Sequence, residues 1–182
     1  MLHPMRTYIP NISRVKQCTL RFYATKMTQD PQYKGLFYHP TKDSKFAVSF
    51  LDFDKEKAII GWVPEDCVGK LEKKPDAFVT NTKFQELLHQ VIKDNAHIVD
   101  KTLIALAKHQ KQGWLHIADE RNPPPWGRIP SPEDIFGSVN VIDGKIVEGS
   151  YQRMLAHRIV SSNGLFKLSD PLHQRLVQIL KS

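Results

Sequence analysis

The chain has 182 residues, 41% hydrophobic and 25% charged, with 26 basic against 19 acidic residues and a net charge of +7. That length suits one ordinary domain burying about 70% of its unfolded surface, and no run approaches the roughly 18 apolar residues that cross a bilayer. Of two cysteines, Cys18 falls in a removable-looking segment, and Cys67 alone can neither close an internal disulfide nor anchor a cysteine-based metal site.

From Met1 to Gln29 there is no acidic residue, while Arg6, Arg14, Lys16, Arg21 and Lys26 are basic. A helical wheel over 12–23 sets Ile12, Val15, Thr19 and Phe22 on one side and Arg14 and Arg21 opposite. This is the character of a mitochondrial presequence, whose positive charge follows the inner-membrane potential. Arg21-Phe22-Tyr23-Ala24 resembles a processing site that would leave Ala24 first. Residues 1–23 are therefore expected to be the presequence, and the matrix the expected location. Without them 22 basic residues face 19 acidic ones, a net +3, so the basic balance says little about nucleic acid.

Residues 24–45 read as a flexible polar lead-in. The domain is expected over 46–182. Phe46, Val48 and Phe50 alternate with Ala47, Ser49 and Leu51, and 58–63 is a second apolar run ended by Pro64, so a hairpin is predicted. Phe84, Leu87, Leu88, Val91 and Ile92 follow helical spacing, with Asn81 or Thr82 as cap. A second helix should follow Asp100 and stop at Gly113, where a left-handed cap costs little. Trp114 to Asp119 reads as a strand with Leu115, Ile117 and Asp119 on one face.

Five of the 12 prolines, Pro123, Pro124, Pro125, Pro130 and Pro132, exclude helix or central strand from the next stretch. Ser131-Pro132-Glu133-Asp134 looks like one capped helical turn. Asp143-Gly144 and Asn163-Gly164 each sit between apolar runs and predict hairpins. Ser169 should cap a final helix with Leu172, Leu176, Ile179 and Leu180 on one face. Segregated strands and helices imply a single-domain α+β fold: a mostly antiparallel sheet built from hairpins, one face covered by an αα pair and a C-terminal helix.

The candidate site is the loop over 119–136. Prolines hold a loop in one shape at little entropic cost. Arg121 and Arg128 suit a carboxylate or phosphate, and Trp126 offers a stacking surface. Asp119, Glu120, Glu133 and Asp134 could serve as acids, bases or hard-metal ligands. His157 and Arg158 follow on a later strand and complete the candidate binding residues.

The run from Gly113 through Pro123-Pro124-Pro125-Trp126-Gly127-Arg128-Ile129-Pro130-Ser131-Pro132-Glu133-Asp134-Ile135-Phe136-Gly137-Ser138-Val139 resembles the hallmark of a fungal family of small mitochondrial proteins of unassigned function. Gly149-Ser150-Tyr151-Gln152, His157-Arg158-Ile159-Val160 and Asn163-Gly164-Leu165-Phe166 are similar to that family's C-terminal pattern, and the resemblance covers about 46–180. It implies a mitochondrial protein and brings no catalytic residues with it.

Other signals are weak. No His-Glu-x-x-His or i, i+4 histidine pair marks a metal site, and the glycines are scattered turn residues rather than a cofactor-phosphate loop. Lys70, Lys73, Lys74, Lys101, Lys108 and Lys111 would touch phosphates without reading bases. The expected function is partner binding or assembly through loop 119–136, without a catalytic motif. One alternative is an enzyme or small-ligand binder with a pocket around Trp126, Arg128, Glu133, Asp134 and His157. The other is association with mitochondrial RNA or the ribosome.

Overall fold

The computed structural model describes residues 26–52, 56–125 and 128–182. The expected presequence over 1–23 and the Trp126 ring lie outside the described residues. Among the described residues, the stretch read as a flexible lead-in holds two strands. There, β1 (Thr28–Gln29) pairs antiparallel with β2 (Phe37–Pro40). The lead-in reading is corrected by Asp30. Its Oδ1 accepts the backbone N–H groups of Gln32 and Tyr33 at 2.7 and 2.8 Å, and its Oδ2 accepts the Tyr38 hydroxyl. That turn carries Leu36 and Tyr38 into the core, both fully buried.

The alternation at Phe46 becomes β3 (Lys45–Ser49), which pairs with β4 (Ile59–Pro64) as the predicted hairpin, Phe46 opposite Val63. With β5 (Val79–Thr80) they complete a five-stranded antiparallel sheet in sequential order. Next, α1 (Thr82–Val99) buries Phe84, Leu88, Val91 and Ile92. Asn81 caps it by accepting Lys83 N–H and donates to the Ile59 carbonyl, fixing the helix start to β4. Asp100 ends α1 and caps α2 (Lys101–Gln110) by accepting Leu103 N–H at 3.0 Å. This second helix stops earlier than Gly113, because Lys111 already turns to φ 67°.

The strand predicted from Trp114 is β6 (Gly113–Ala118), and it pairs along β7 (Ile135–Ile142). The other edge of β7 is shared by β8 (Lys145–Ile146) and β9 (Gln152–Arg153). The Asp143-Gly144 turn is as expected. A short ribbon joins β10 (Val160–Ser161) to β11 (Gly164–Leu165), so its turn is Ser162-Asn163, one residue before the expected pair. The last element, α3 (Asp170–Lys181), buries Leu172, Leu176 and Leu180. Ser169 does not cap it. Its hydroxyl donates instead to Asp100 Oδ2 at 2.8 Å, joining the start of α3 to the α1–α2 corner.

The fold is therefore α+β, with every strand among the described residues pairing antiparallel. The strands form two sheets and a ribbon instead of one sheet. Helix α1 lies against β4 and α3, while α2 lies against β6 and β8, so the helices do not share a single sheet face. One core unites both halves: Val48 and Ile60, Leu88 and Ile92, Leu103, Phe136 and Val139, and Leu176 belong to the same buried cluster. Among the described residues no helix is long and apolar enough to cross a membrane.

Candidate functional site

Strand parity sends Leu115, Ile117 and Asp119 inward, so β6 delivers a carboxylate to the core at its end. A buried carboxylate needs donors. Asp119 Oδ1 accepts the backbone N–H groups of Arg121 and Lys167 at 3.0 and 2.9 Å, and its Oδ2 lies 3.1 Å from His157 Nε2. Arg121 then closes the ring. Its Nε donates to Asp134 Oδ1 at 2.9 Å and lies 3.4 Å from Asp119 Oδ2. Its remaining N–H groups donate to the carbonyls of Ile159, Gly164, Glu133 and Arg158. All five guanidinium donors are thus used inside the protein. The Arg121, Asp119, Asp134 and His157 side chains are each between 0% and 3% exposed.

This cluster fastens the two ends of the proline loop to each other and to the β10–β11 ribbon. Asp134 Oδ2 also accepts the amides of Asn122 and Asn163. The helical turn Pro132–Asp134 forms as predicted, although Ser131 supplies its carbonyl and not its hydroxyl. Between the anchored ends, among the described residues, Pro123, Pro125, Arg128 and Ser131 are exposed, and Ile129 is 72% exposed.

Of the residues singled out in the sequence, Arg121, Asp134 and His157 come together, but with one another rather than around an open pocket. Glu133 contributes its backbone carbonyl to Arg121 and to the Arg158 N–H. The Arg158 side chain reaches away to Asp76 at 2.6 Å. Arg128 is exposed and stands outside the cluster. A pocket combining Arg128, Asp134 and His157 is therefore not formed among the described residues.

The Asp119–His157 pair has the arrangement of an oriented imidazole, yet no hydroxyl or thiol among the described residues hydrogen-bonds its Nδ1, which is buried without a partner. The ring is packed against Phe136 at 4.4 Å and edge-on to His89 at 6.2 Å. His89 is itself fixed: the Tyr151 hydroxyl donates to the Phe136 carbonyl and so accepts from His89 Nδ1 at 2.7 Å. Burial, helped by Arg153 and His157, pushes the His89 pKa down to about 3.

Beside Arg121 the structure opens a cavity of about 590 Å³ that sequence reading missed. It is bounded by Tyr33, Phe50, Glu120, Phe166, Lys167 and His173, among others. Burial raises the Tyr33 phenol and the Glu120 carboxyl and lowers the His173 imidazole. Of the lysines considered for RNA, Lys74 pairs with Asp66 at 2.6 Å, whereas Lys108 and Lys111 line an open crevice with Lys145 and Asp143. Comparison with known protein families, curated proteins and solved structures finds no match for this chain.

Proposed function

We propose that this is a mitochondrial partner-binding protein whose contact surface is the proline loop over 119–136. The observation that carries the reading is the contrast between the two parts of that loop. Its base is held by a guanidinium with every donor satisfied, and its tip presents Ile129 and Arg128 to solvent. A loop so anchored loses little conformational entropy on docking. Arginine is enriched at binding hot spots, and the exposed Ile129 is apolar area that docking would remove from water. The acid-free basic segment before Gln29, the Arg21-Phe22-Tyr23-Ala24 sequence and the fungal-family resemblance support the mitochondrial part of the proposal.

A photo-crosslinking residue placed at Ile129 tests it. The expected result is one discrete adduct that is lost when Arg128→Ala is added, with no such adduct from Val79 on β5, which is also exposed. Identical adducts from both positions would contradict a loop-specific contact.

A further inference from the structure

The cavity beside Arg121 has the build of a ligand site, and it is separate from the tip of the proline loop. Its volume lies within the roughly 300–1,000 Å³ of small-molecule pockets. Four chain segments converge on it: the turn after Asp30, the end of the β3 region at Phe50, the chain after β6, and the stretch from the β10–β11 ribbon into α3. None of these segments is near another in sequence. The cavity is thus a product of the tertiary fold, and no local motif advertises it.

One wall is apolar and aromatic. Phe50 stands edge-on to Phe166 at 5.8 Å and to His173 at 5.0 Å, a T-shaped triad that gives a flat group a π-rich surface. The lining also carries donors. Tyr33 accepts the Leu165 N–H at 3.3 Å, which leaves its own phenolic proton free to donate. Lys167 and Lys34 border the cavity, and neither ammonium is bonded to a side chain among the described residues. Arg121 contributes no free donor, since its five are used. Two carboxylates, Glu120 and Asp170, also line the space. Glu120 is held toward its neutral form by burial and by the negative charges of Asp100, Asp170 and Asp119, against the pull of Lys167.

We propose that this cavity binds a small planar carboxylate, with its ring against the Phe50–Phe166–His173 wall and its carboxylate facing Lys167 and Lys34. The wall selects a flat apolar body, and the two ammonium groups with the Tyr33 hydroxyl select the anionic end. A cationic ligand would meet two lysines, and a neutral one would leave the ammonium groups unanswered. The site stands or falls independently of partner binding at the loop tip.

The test uses the full chain and three matched probes: 2-naphthoate, 2-naphthylmethanol and 2-naphthylmethylamine. Binding is followed by calorimetry and by the His173 ring resonances. The expected result is saturable binding of 2-naphthoate that shifts His173, with the alcohol and the amine weaker by about tenfold or more. The double variant Lys34→Gln/Lys167→Gln, at two exposed side chains, should show the same loss with an unchanged melting temperature. No saturable binding at millimolar naphthoate would overturn the proposal. So would equal binding of the alcohol or amine, undiminished affinity in the double variant, or binding that leaves His173 unmoved.

Discussion

Arg121 Nε donates to Asp134 Oδ1 at 2.9 Å across 13 residues of sequence, and this one contact closes the proline loop at its base. The same guanidinium holds the β10–β11 ribbon through the carbonyls of Ile159 and Gly164. Removing it would leave Asp119 and Asp134 buried without their guanidinium partner, held by backbone N–H groups, His157 and the Asn122 and Asn163 amides alone. Arg121→Met is accordingly expected to lower stability by about 3–5 kcal/mol, the cost of breaking a buried pair from one side. Arg121→Lys should recover little of that, because an ammonium cannot span five acceptors in one plane. Urea denaturation of the three proteins checks it, and a loss below about 1 kcal/mol, the scale of a surface pair, would contradict the structural role.

His89 links stability to acidity. Its folded pKa is near 3 because burial disfavours the charged form, with Arg153 and His157 acting in the same direction. The unfolded chain takes up this proton near pH 6.5. Between about pH 6.5 and 3 the unfolded state therefore binds more protons, and stability falls as the pH falls. His89 alone should contribute a slope of at most about 1.4 kcal/mol per pH unit in that window. His89→Gln, which can still donate to Tyr151, should flatten the curve there when denaturation is measured at successive pH values. An unchanged slope would mean that His89 is protonated in the folded protein.

Gly137 sits where β9 crosses β7, and a Cβ at that position would collide with the Gln152 carbonyl and the Tyr151 ring. Tyr151 carries the hydrogen bond to His89, so pushing it aside also disturbs the packing around His157. Gly137→Ala is expected to destabilise by about 1–3 kcal/mol, the range for overpacking. Tyr151→Phe/Gly137→Ala should be no better than Gly137→Ala alone, since the ring and not the hydroxyl makes the clash. Tyr151→Ala should not restore stability in thermal denaturation either, because the Gln152 carbonyl stays in the way, and full rescue would contradict that clash.

What could be read from the sequence was local. The spacing of Phe84, Leu88 and Ile92 locates α1, and Asp143-Gly144 locates the β7–β8 hairpin, because each pattern is complete within a few residues. The strands near Thr28 and Phe37 were hidden because their order comes from Asp30 meeting Tyr38, an interaction that composition does not reveal. The division into two sheets was hidden for a related reason, since strand pairing is set by the whole fold.

At the candidate site, residue type suggested Arg121, Asp134 and His157, but not that they would spend their bonding capacity on one another. One signal did exist. Asp119 shares the inward face of β6 with Leu115 and Ile117, and a carboxylate on an apolar face calls for a buried cation. The cavity lined by Tyr33, Glu120 and His173 had no such signal, because its walls are 140 residues apart at the extremes.

The most direct test of the loop as a contact surface is native size fractionation of a mitochondrial extract containing the tagged protein, with and without RNase. The Arg128→Ala/Ile129→Ser variant is run alongside after its melting temperature is matched to the parent. The parent is expected to migrate in an assembly larger than its own monomer mass, unaffected by RNase, and the variant to migrate alone. A parent at its own mass, or a variant retained in the assembly, would contradict a docking role for the loop. Loss of the large form on RNase treatment would transfer the contact to an RNA-containing body and contradict direct protein binding.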